Sequence, residues 1–193
     1  MLRGLYDWTM RLAGHRHANW AMAIISFLES SIFPIPPDVV MMPMILAQRE
    51  RAFRIAALCT LASVLGGVFG YFIGLLFFET VGQAIIDFYG AGDKFATFQG
   101  WYEEWGGWIV FAAGVTPIPY KVFTIASGLV SMNLAAFMVA SVLGRAVRFY
   151  AVAALLYFYG PPIRGFIERY LGPLFILFVV LLFAGFVVLK YLA

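Results

Sequence analysis

Charged residues are scarce in this sequence. Only 12% of its 193 residues are Asp, Glu, Lys or Arg, while 63% are hydrophobic and the mean hydropathy is +0.90. A soluble domain carries roughly 25% charged residues, so this chain has too few to cover a surface that faces water. The sequence therefore predicts a single domain embedded in a membrane.

Residues that carry catalysis or bind metals are also few. Cys59 is the single cysteine, which excludes an intramolecular disulfide. His15 and His17 fall in the N-terminal segment, where an interfacial role is expected rather than metal binding. Because Asp38 is the one aspartate within an apolar run, the paired aspartates of an intramembrane protease are missing, as is a Gly-rich phosphate loop. We expect no enzyme, no metal, no cofactor and, at a net charge of +3 without a basic run, no nucleic acid partner.

Long apolar runs fill most of the chain. They reach or approach the roughly 18 residues of a membrane helix, and they are too long for the alternating strands of a membrane barrel. An all-α polytopic membrane protein is predicted, with runs at 18–48, 55–78, 106–130, 134–159 and 172–189. The basic, partly apolar segment 1–17 is interpreted as an amphipathic interfacial helix, because the run after it is too long for a cleaved signal peptide.

The tripeptide Pro-Ile-Pro interrupts two of these runs. Proline removes a backbone donor and clashes with the preceding turn, so both helices must break. The arms of 18–48 reach only about 24 and 16 Å, short of the roughly 30 Å hydrocarbon core. We therefore expect two re-entrant hairpins, 18–48 and 106–130, with a Pro-kinked spanning helix as the alternative. The predicted hairpin turns are Pro34, Pro36, Pro37, Pro117 and Pro119.

Charge placement favours the hairpins. Arginines precede and follow 18–48, and basic residues collect on the cytoplasmic side of a membrane. The segment 79–105 holds five acids and one lysine, so it is expected to be an outer loop. The second hairpin then enters from outside, helices 55–78, 134–159 and 172–189 span the membrane, and the N-terminus is cytoplasmic.

A short internal repeat supports the same division. Ala62-Ser63-Val64-Leu65-Gly66 recurs as Ala140-Ser141-Val142-Leu143-Gly144, each copy after a Pro-Ile-Pro break. Since the two hairpins are expected to enter from opposite faces, the halves form an inverted repeat, an arrangement that is common in transporters.

Five ionisable residues lie within the apolar runs, and each costs roughly 3 kcal/mol at mid-membrane. They must pair, face water or bind a charged ligand. The residues are Glu29, Asp38, Lys121, Arg145 and Arg148.

The three cations predict a site for an anionic head group. Lys121 follows a helix break, where free N–H groups favour phosphate or carboxylate, although pairing with Asp38 remains an alternative. Arg145 and Arg148 share a helix face, and guanidinium groups suit phosphate; Arg145 could instead extend to the membrane boundary.

Glu29 is expected to act as counter-ion or proton carrier, because burial favours a protonated carboxyl, and a static pair with Arg148 is the alternative. Asp38 could simply complement a helix N-terminus.

Gly66, Gly70 and Gly74 recur at every fourth position. This spacing permits close contact between helices, and a groove that accommodates lipid is the alternative. Trp101, Trp105 and Trp108, with Tyr102, are typical of an interfacial aromatic belt.

Together these residues resemble a known family. Glu29, Phe33-Pro34-Ile35-Pro36, Asp38, Gly66-Gly67-x-x-Gly70-Tyr71-x-x-Gly74 and the second proline break are similar to the DedA superfamily, also called the SNARE-associated or VTT-domain family, and to its short YqaA-like branch. The resemblance implies two opposed re-entrant hairpins in a bacterial inner membrane protein that moves lipids, with Glu29 and Asp38 as the required acids. The family also has two arginines flanking the second proline. Here Gly114 stands at the first position and Lys121 lies near the second, so Arg145 and Arg148 are the expected replacements.

The sequence thus predicts a lipid flippase or scramblase, with coupling to protons as an option. Its expected cargo is an anionic lipid such as undecaprenyl phosphate or a phospholipid. A scaffold with static ion pairs and a transporter of small solutes or ions are the alternatives, and homo-oligomerisation is left open.

Overall fold

A computed structural model describes residues 18–32, 36–88, 90, 92–116 and 118–160. All regular structure in these ranges is helical. The predicted interfacial helix 1–17, the last span 172–189, and Pro34 and Pro117 lie outside the described residues.

The first proline-containing run is two helices. Helix α1 (Ala18–Ser31) ends before the prolines, and helix α2 (Asp38–Ala47) begins after them. Pro37 caps α2 with its carbonyl, which accepts the first backbone bonds of the new helix. Met22 near the start of α1 and Ile45 near the end of α2 belong to one buried apolar cluster. The outer ends of the two arms therefore lie in the same part of the molecule.

Two long apolar helices could cross a bilayer. Helix α3 is Ala52–Phe77, and helix α7 is Leu134–Gly160, at the positions of the predicted spans 55–78 and 134–159. Both meet the length and hydropathy of a membrane span, α3 as part of the continuous apolar stretch Arg49–Thr80. A single 3₁₀ turn, Arg49–Arg51, joins α2 to α3.

The prediction that 79–105 is a loop is wrong, because most of its described residues are helical. A π-helical turn, Phe78–Gly82, leads into the short helix α4 (Gln83–Phe88), and helix α5 (Gly92–Val115) begins well before residue 106. Acidic residues signal exposure to water, which an exposed helix satisfies as well as a loop does. The ring of Phe95 also stacks on that of Phe78, with centroids 5.1 Å apart, and this contact anchors the start of α5.

The second proline-containing run also consists of two helices. Helix α5 ends at Val115, and helix α6 (Tyr120–Leu129) begins directly after Pro119, whose carbonyl accepts the amide of Val122. A tight turn at 130–133 connects α6 to α7. Each predicted break is therefore present.

The glycines of α3 bring three helices together. A Cβ at Gly66 would overlap the backbone carbonyl of Phe27 in α1, and one at Gly74 would overlap the carbonyl of Ile125 in α6. A Cβ at Gly70 would meet both neighbours, the Ser30 carbonyl at 3.3 Å and the Thr124 hydroxyl at 2.5 Å. Small residues allow such backbone contact between helices, so one face of α3 packs first against α1 and then, further along, against α6.

The last residue of each repeat copy occupies an equivalent position. Gly66 meets the carbonyl of Phe27, in the arm that precedes the first break. A Cβ at Gly144 would lie 2.7 Å from the carbonyl of Phe111, in the arm that precedes the second. The repeat therefore marks where each long helix contacts the first arm of the run before it.

These contacts predict a position-specific effect of adding one methyl group. Gly66→Ala should lower the thermal unfolding temperature of the detergent-purified protein, because overpacking of this kind costs about 1–3 kcal/mol. Gly100→Ala is the control, since a Cβ there meets nothing within 4 Å and alanine is favoured over glycine in a helix by about 1 kcal/mol. Equal shifts in the two variants would contradict the α1–α3 contact.

Candidate functional site

Four interrupted helix ends lie close together, and charged side chains bind backbone carbonyls beyond two of them. The Lys121 ammonium donates to the Ile32 carbonyl at 3.1 Å, just beyond the end of α1. One guanidinium nitrogen of Arg148 donates to the Thr116 carbonyl at 2.8 Å, just beyond the end of α5. Its other terminal nitrogen lies 2.6 Å from Asp38, in the first turn of α2. We call Glu29, Asp38, Lys121, Arg145 and Arg148 the ion-pair cluster.

Helix electrostatics explain these positions. The carbonyl end of a helix attracts cations and the amide end attracts anions. Arg148 and Lys121 each bind a carbonyl at the end of a broken helix, and Asp38 stands at the start of one. Lys121 is unfavourably placed at the start of its own helix α6, but its long side chain brings the ammonium to the favourable end of α1.

The innermost part of the cluster is the pair of Arg145 and Glu29. Their nearest atoms are 2.5 Å apart, and the side chains are only 1% and 14% exposed. The same guanidinium nitrogen donates to the Ser30 hydroxyl at 2.9 Å. The carbon at the centre of the guanidinium lies 4.2 Å from the ring centroid of Tyr120, a favourable cation–π geometry. Arg145 is therefore fixed on several sides.

Hydroxyl groups extend this arrangement, and sequence reasoning missed them. Ser30 hydrogen-bonds to Ser63 at 2.7 Å, and the Tyr120 hydroxyl donates to Ser141 at 2.5 Å. Ser63 and Ser141 are the second residues of the two Ala-Ser-Val-Leu-Gly copies. The repeat was thus the signal that could have found them, because a polar residue kept in both apolar copies needs a buried partner.

The ion pairs differ from the pairings that the sequence left open. Glu29 contacts Arg145 and not Arg148, and Asp38 contacts Arg148 and not Lys121. Arg145 does not extend to the membrane boundary but is the most deeply buried charged side chain among the described residues. The reason is helical spacing: residues 145 and 148 share a face yet differ in height by about one turn, so each meets the acid at its own level.

Gly114 explains why no arginine stands at that position. A Cβ there would lie 3.1 Å from the Gly144 Cα and 3.3 Å from the Arg145 amide nitrogen. Helices α5 and α7 are in backbone contact at this point, so a long side chain has no room. The guanidinium groups of the cluster come from α7.

The predicted packing and turn residues lie around the cluster. Pro36, Pro37 and Pro119 precede α2 and α6, whose first turns carry Asp38 and Lys121. Among the residues that the structure describes, no group of three His, Cys, Asp or Glu side chains is placed to hold a metal.

Comparison with known proteins gives one family and two relatives. The sequence profile of the VTT domain matches residues 35–158. An uncharacterized protein of Haemophilus influenzae is 39% identical over 151 residues, which cover 78% of this chain and 78% of that protein. An uncharacterized protein of Histophilus somni is 36% identical over the same share of both chains. No solved structure matches the chain.

The observed ion pair predicts that residues 29 and 145 are energetically coupled. Removing one partner of a buried pair costs about 3–5 kcal/mol, because the other charge is left buried. Arg145→Leu should therefore destabilise the detergent-purified protein strongly, and Glu29→Leu added to it should restore part of the loss. A double-mutant cycle on unfolding free energy should give a coupling of roughly 0.5–3 kcal/mol for residues 29 and 145.

The cross-pair is the control for that cycle. Glu29→Leu with Arg148→Leu should be closer to additive, since these two side chains do not pair. A larger coupling for 29 with 148 than for 29 with 145 would contradict the observed pairing.

Proposed function

This chain belongs to the VTT-domain family of the DedA superfamily, a family of transporter-like membrane proteins, and we propose that it moves an anionic lipid across the bilayer. The observation that carries the proposal is the ion-pair cluster itself. Three cations and two carboxylates converge at the broken helix ends, where one positive charge is in excess. Charge at that depth is costly unless it is used or neutralised.

In the proposed membrane arrangement both proline-broken runs are re-entrant hairpins. Support comes from the cluster that Met22 and Ile45 share, since arms that cross a bilayer in sequence would end far apart. The hairpins enter from opposite faces as an inverted repeat, and the broken ends meet near the midplane, as in other transporters. Arg49, Arg51 and Arg54 then lie on the cytoplasmic side of the inner membrane, with the N-terminus.

Lys121 is the proposed first contact of the head group. Among the described residues it has no carboxylate within salt-bridge distance, in contrast to Arg145 and Arg148. It stands in the first turn of α6, where free amide groups favour a phosphate. Arg145 offers a further donor, because its buried Nε has no hydrogen-bond partner among the described residues.

Release of the two arginines is the proposed switch. The structure has both ion pairs closed. An anionic head group bound at Lys121 competes with Asp38 for Arg148, whose side chain is 19% exposed. Protonation of the two carboxylates frees the guanidinium groups for the phosphate, and loss of the protons returns them to the carboxylates. The lipid tail stays in the bilayer, no covalent bond changes, and no cofactor is required.

A membrane scaffold without transport is the second candidate. It is favoured by the same closed pairs, since each arginine has a carboxylate partner and Arg145 is almost completely buried. In that case the charges only fix the positions of the broken helices.

Transport in liposomes separates the two candidates. Purified protein reconstituted with a fluorescent anionic phospholipid, or with a polyprenyl phosphate, should move it faster than protein-free vesicles. Lys121→Gln should lower the rate by roughly tenfold or more, the equivalent of about 1.4 kcal/mol of lost stabilisation. Arg54→Gln, on an exposed site at the start of α3, should leave the rate within about twofold.

Glu29→Gln tests the proposed switch in the same vesicles. Its rate should lose its dependence on an imposed pH gradient while the protein remains folded by size-exclusion chromatography, with Glu50→Gln as the exposed control. No movement above protein-free vesicles would end the transport proposal, and unfolding of Glu29→Gln without loss of specific activity in the remaining protein would favour the scaffold.

Thiol labelling tests the first hairpin. Asn19→Cys and Glu50→Cys place thiols at exposed positions on either side of it, whereas the native Cys59 is fully buried. In oriented membrane vesicles an impermeant maleimide should label both from the cytoplasmic face and Thr97→Cys from the other. Labelling of positions 19 and 50 from opposite faces would overturn the re-entrant arrangement.

A further inference from the structure

An apolar groove runs along the surface between helices α5 and α7. Its volume is about 640 Å³, and its walls include Trp108 and Phe111 from α5, and Val139 and Leu143 from α7. At its inner end Leu143 is next to Gly144, where the two helices touch. We call this depression the α5–α7 groove.

A polar pocket of about 360 Å³ continues the groove at its other end. The two cavities share Gly107 and Ala136 as lining residues. Further residues of the pocket carry hydrogen-bonding side chains, namely Gln99, Glu103, Ser131 and Asn133. A polar compartment joined to an apolar channel matches a lipid, whose head group is polar and whose tail is apolar.

The two walls of the pocket carry different polar groups. The α5 wall supplies the carboxylate of Glu103, which only accepts hydrogen bonds when ionised, and the amide of Gln99. On the opposite wall the Asn133 carbonyl oxygen accepts the amide of Ala136, so its amide group remains as a donor beside the Ser131 hydroxyl. Acceptors suit an ammonium group, and donors beside the start of helix α7 suit a phosphate.

The turn that forms this second wall is strained at one residue. Ser131 has a φ of 52°, a conformation at the end of helix α6 that glycine adopts without steric conflict. Serine in that conformation is exposed and lines the pocket. A side chain in this conformation costs stability in the turn.

Position along α5 also matches the layers of a bilayer. Trp101 and Trp105, which are 65% and 54% exposed, flank Glu103 in sequence, and Trp108 at the start of the groove is 68% exposed. Exposed tryptophans mark the head-group level and its boundary with the hydrocarbon. Phe111 lies eight residues beyond Glu103 along the helix, about 12 Å deeper at the helical rise. The pocket is therefore at head-group depth and the groove extends into the hydrocarbon.

We propose that the pocket and the α5–α7 groove hold a resident zwitterionic phospholipid, with its ammonium on Glu103, its phosphate near Asn133 and one acyl chain along Trp108 and Val139. This lipid is distinct from the transported one, since the pocket has no described cation and lies away from the ion-pair cluster. Binding there does not depend on transport.

Lipid retention measured by native mass spectrometry tests this site. The full chain is reconstituted in nanodiscs with equal amounts of phosphatidylethanolamine and phosphatidylglycerol, released in mild detergent, and its bound lipids are counted. Phosphatidylethanolamine should be retained preferentially. Ala136→Phe fills the junction of the two cavities and should reduce its retention about tenfold, whereas Ala151→Phe, on an exposed position of the same helix, should not.

A second pair of variants tests the head-group contact without filling space. Glu103→Gln should abolish the preference for phosphatidylethanolamine, and Glu104→Gln, which lies outside the pocket, should preserve it. Equal retention of the two lipids by the native protein, or a preference that survives both Ala136→Phe and Glu103→Gln, would overturn the site. Lys121→Gln should retain the lipid normally, so failure of the transport proposal and failure of this one give different results.

Discussion

The backbone groups that lose their helical partners at the proline breaks determine where the charged side chains of this structure lie. Each break leaves carbonyls without helical partners, and such groups cost several kcal/mol when they are buried and unsatisfied. Lys121 and Arg148 donate to carbonyls of Ile32 and Thr116, at the ends of the two first arms. The same cations that make the site electropositive therefore stabilise the broken backbone, and structural and functional roles fall on the same side chains.

Buried ion pairs add less stability than their short distances imply. Desolvation offsets most of the attraction, although loss of one partner is strongly destabilising. The glycine contacts of α3 and α7 provide close packing without polar cost, while the pairs determine which helix faces meet.

Much of the architecture could be predicted from the sequence, because its signals are local. Proline chemistry places the two breaks, and long apolar runs predict α3 and α7. The four-residue glycine spacing indicates the face of α3 that the neighbouring helices contact. The individual ion pairs could not be predicted, since they depend on the relative heights of helices far apart in the chain. The helical content of 79–105 was missed because polarity alone does not distinguish an exposed helix from a loop.

The two broken runs also touch each other directly. The Thr124 hydroxyl and the Lys121 ammonium, both on α6, donate to carbonyls of Ser30 and Ile32 at the end of α1. Because these two hydrogen bonds join the end of α1 to the start of α6, a displacement at one proline break is transmitted to the other.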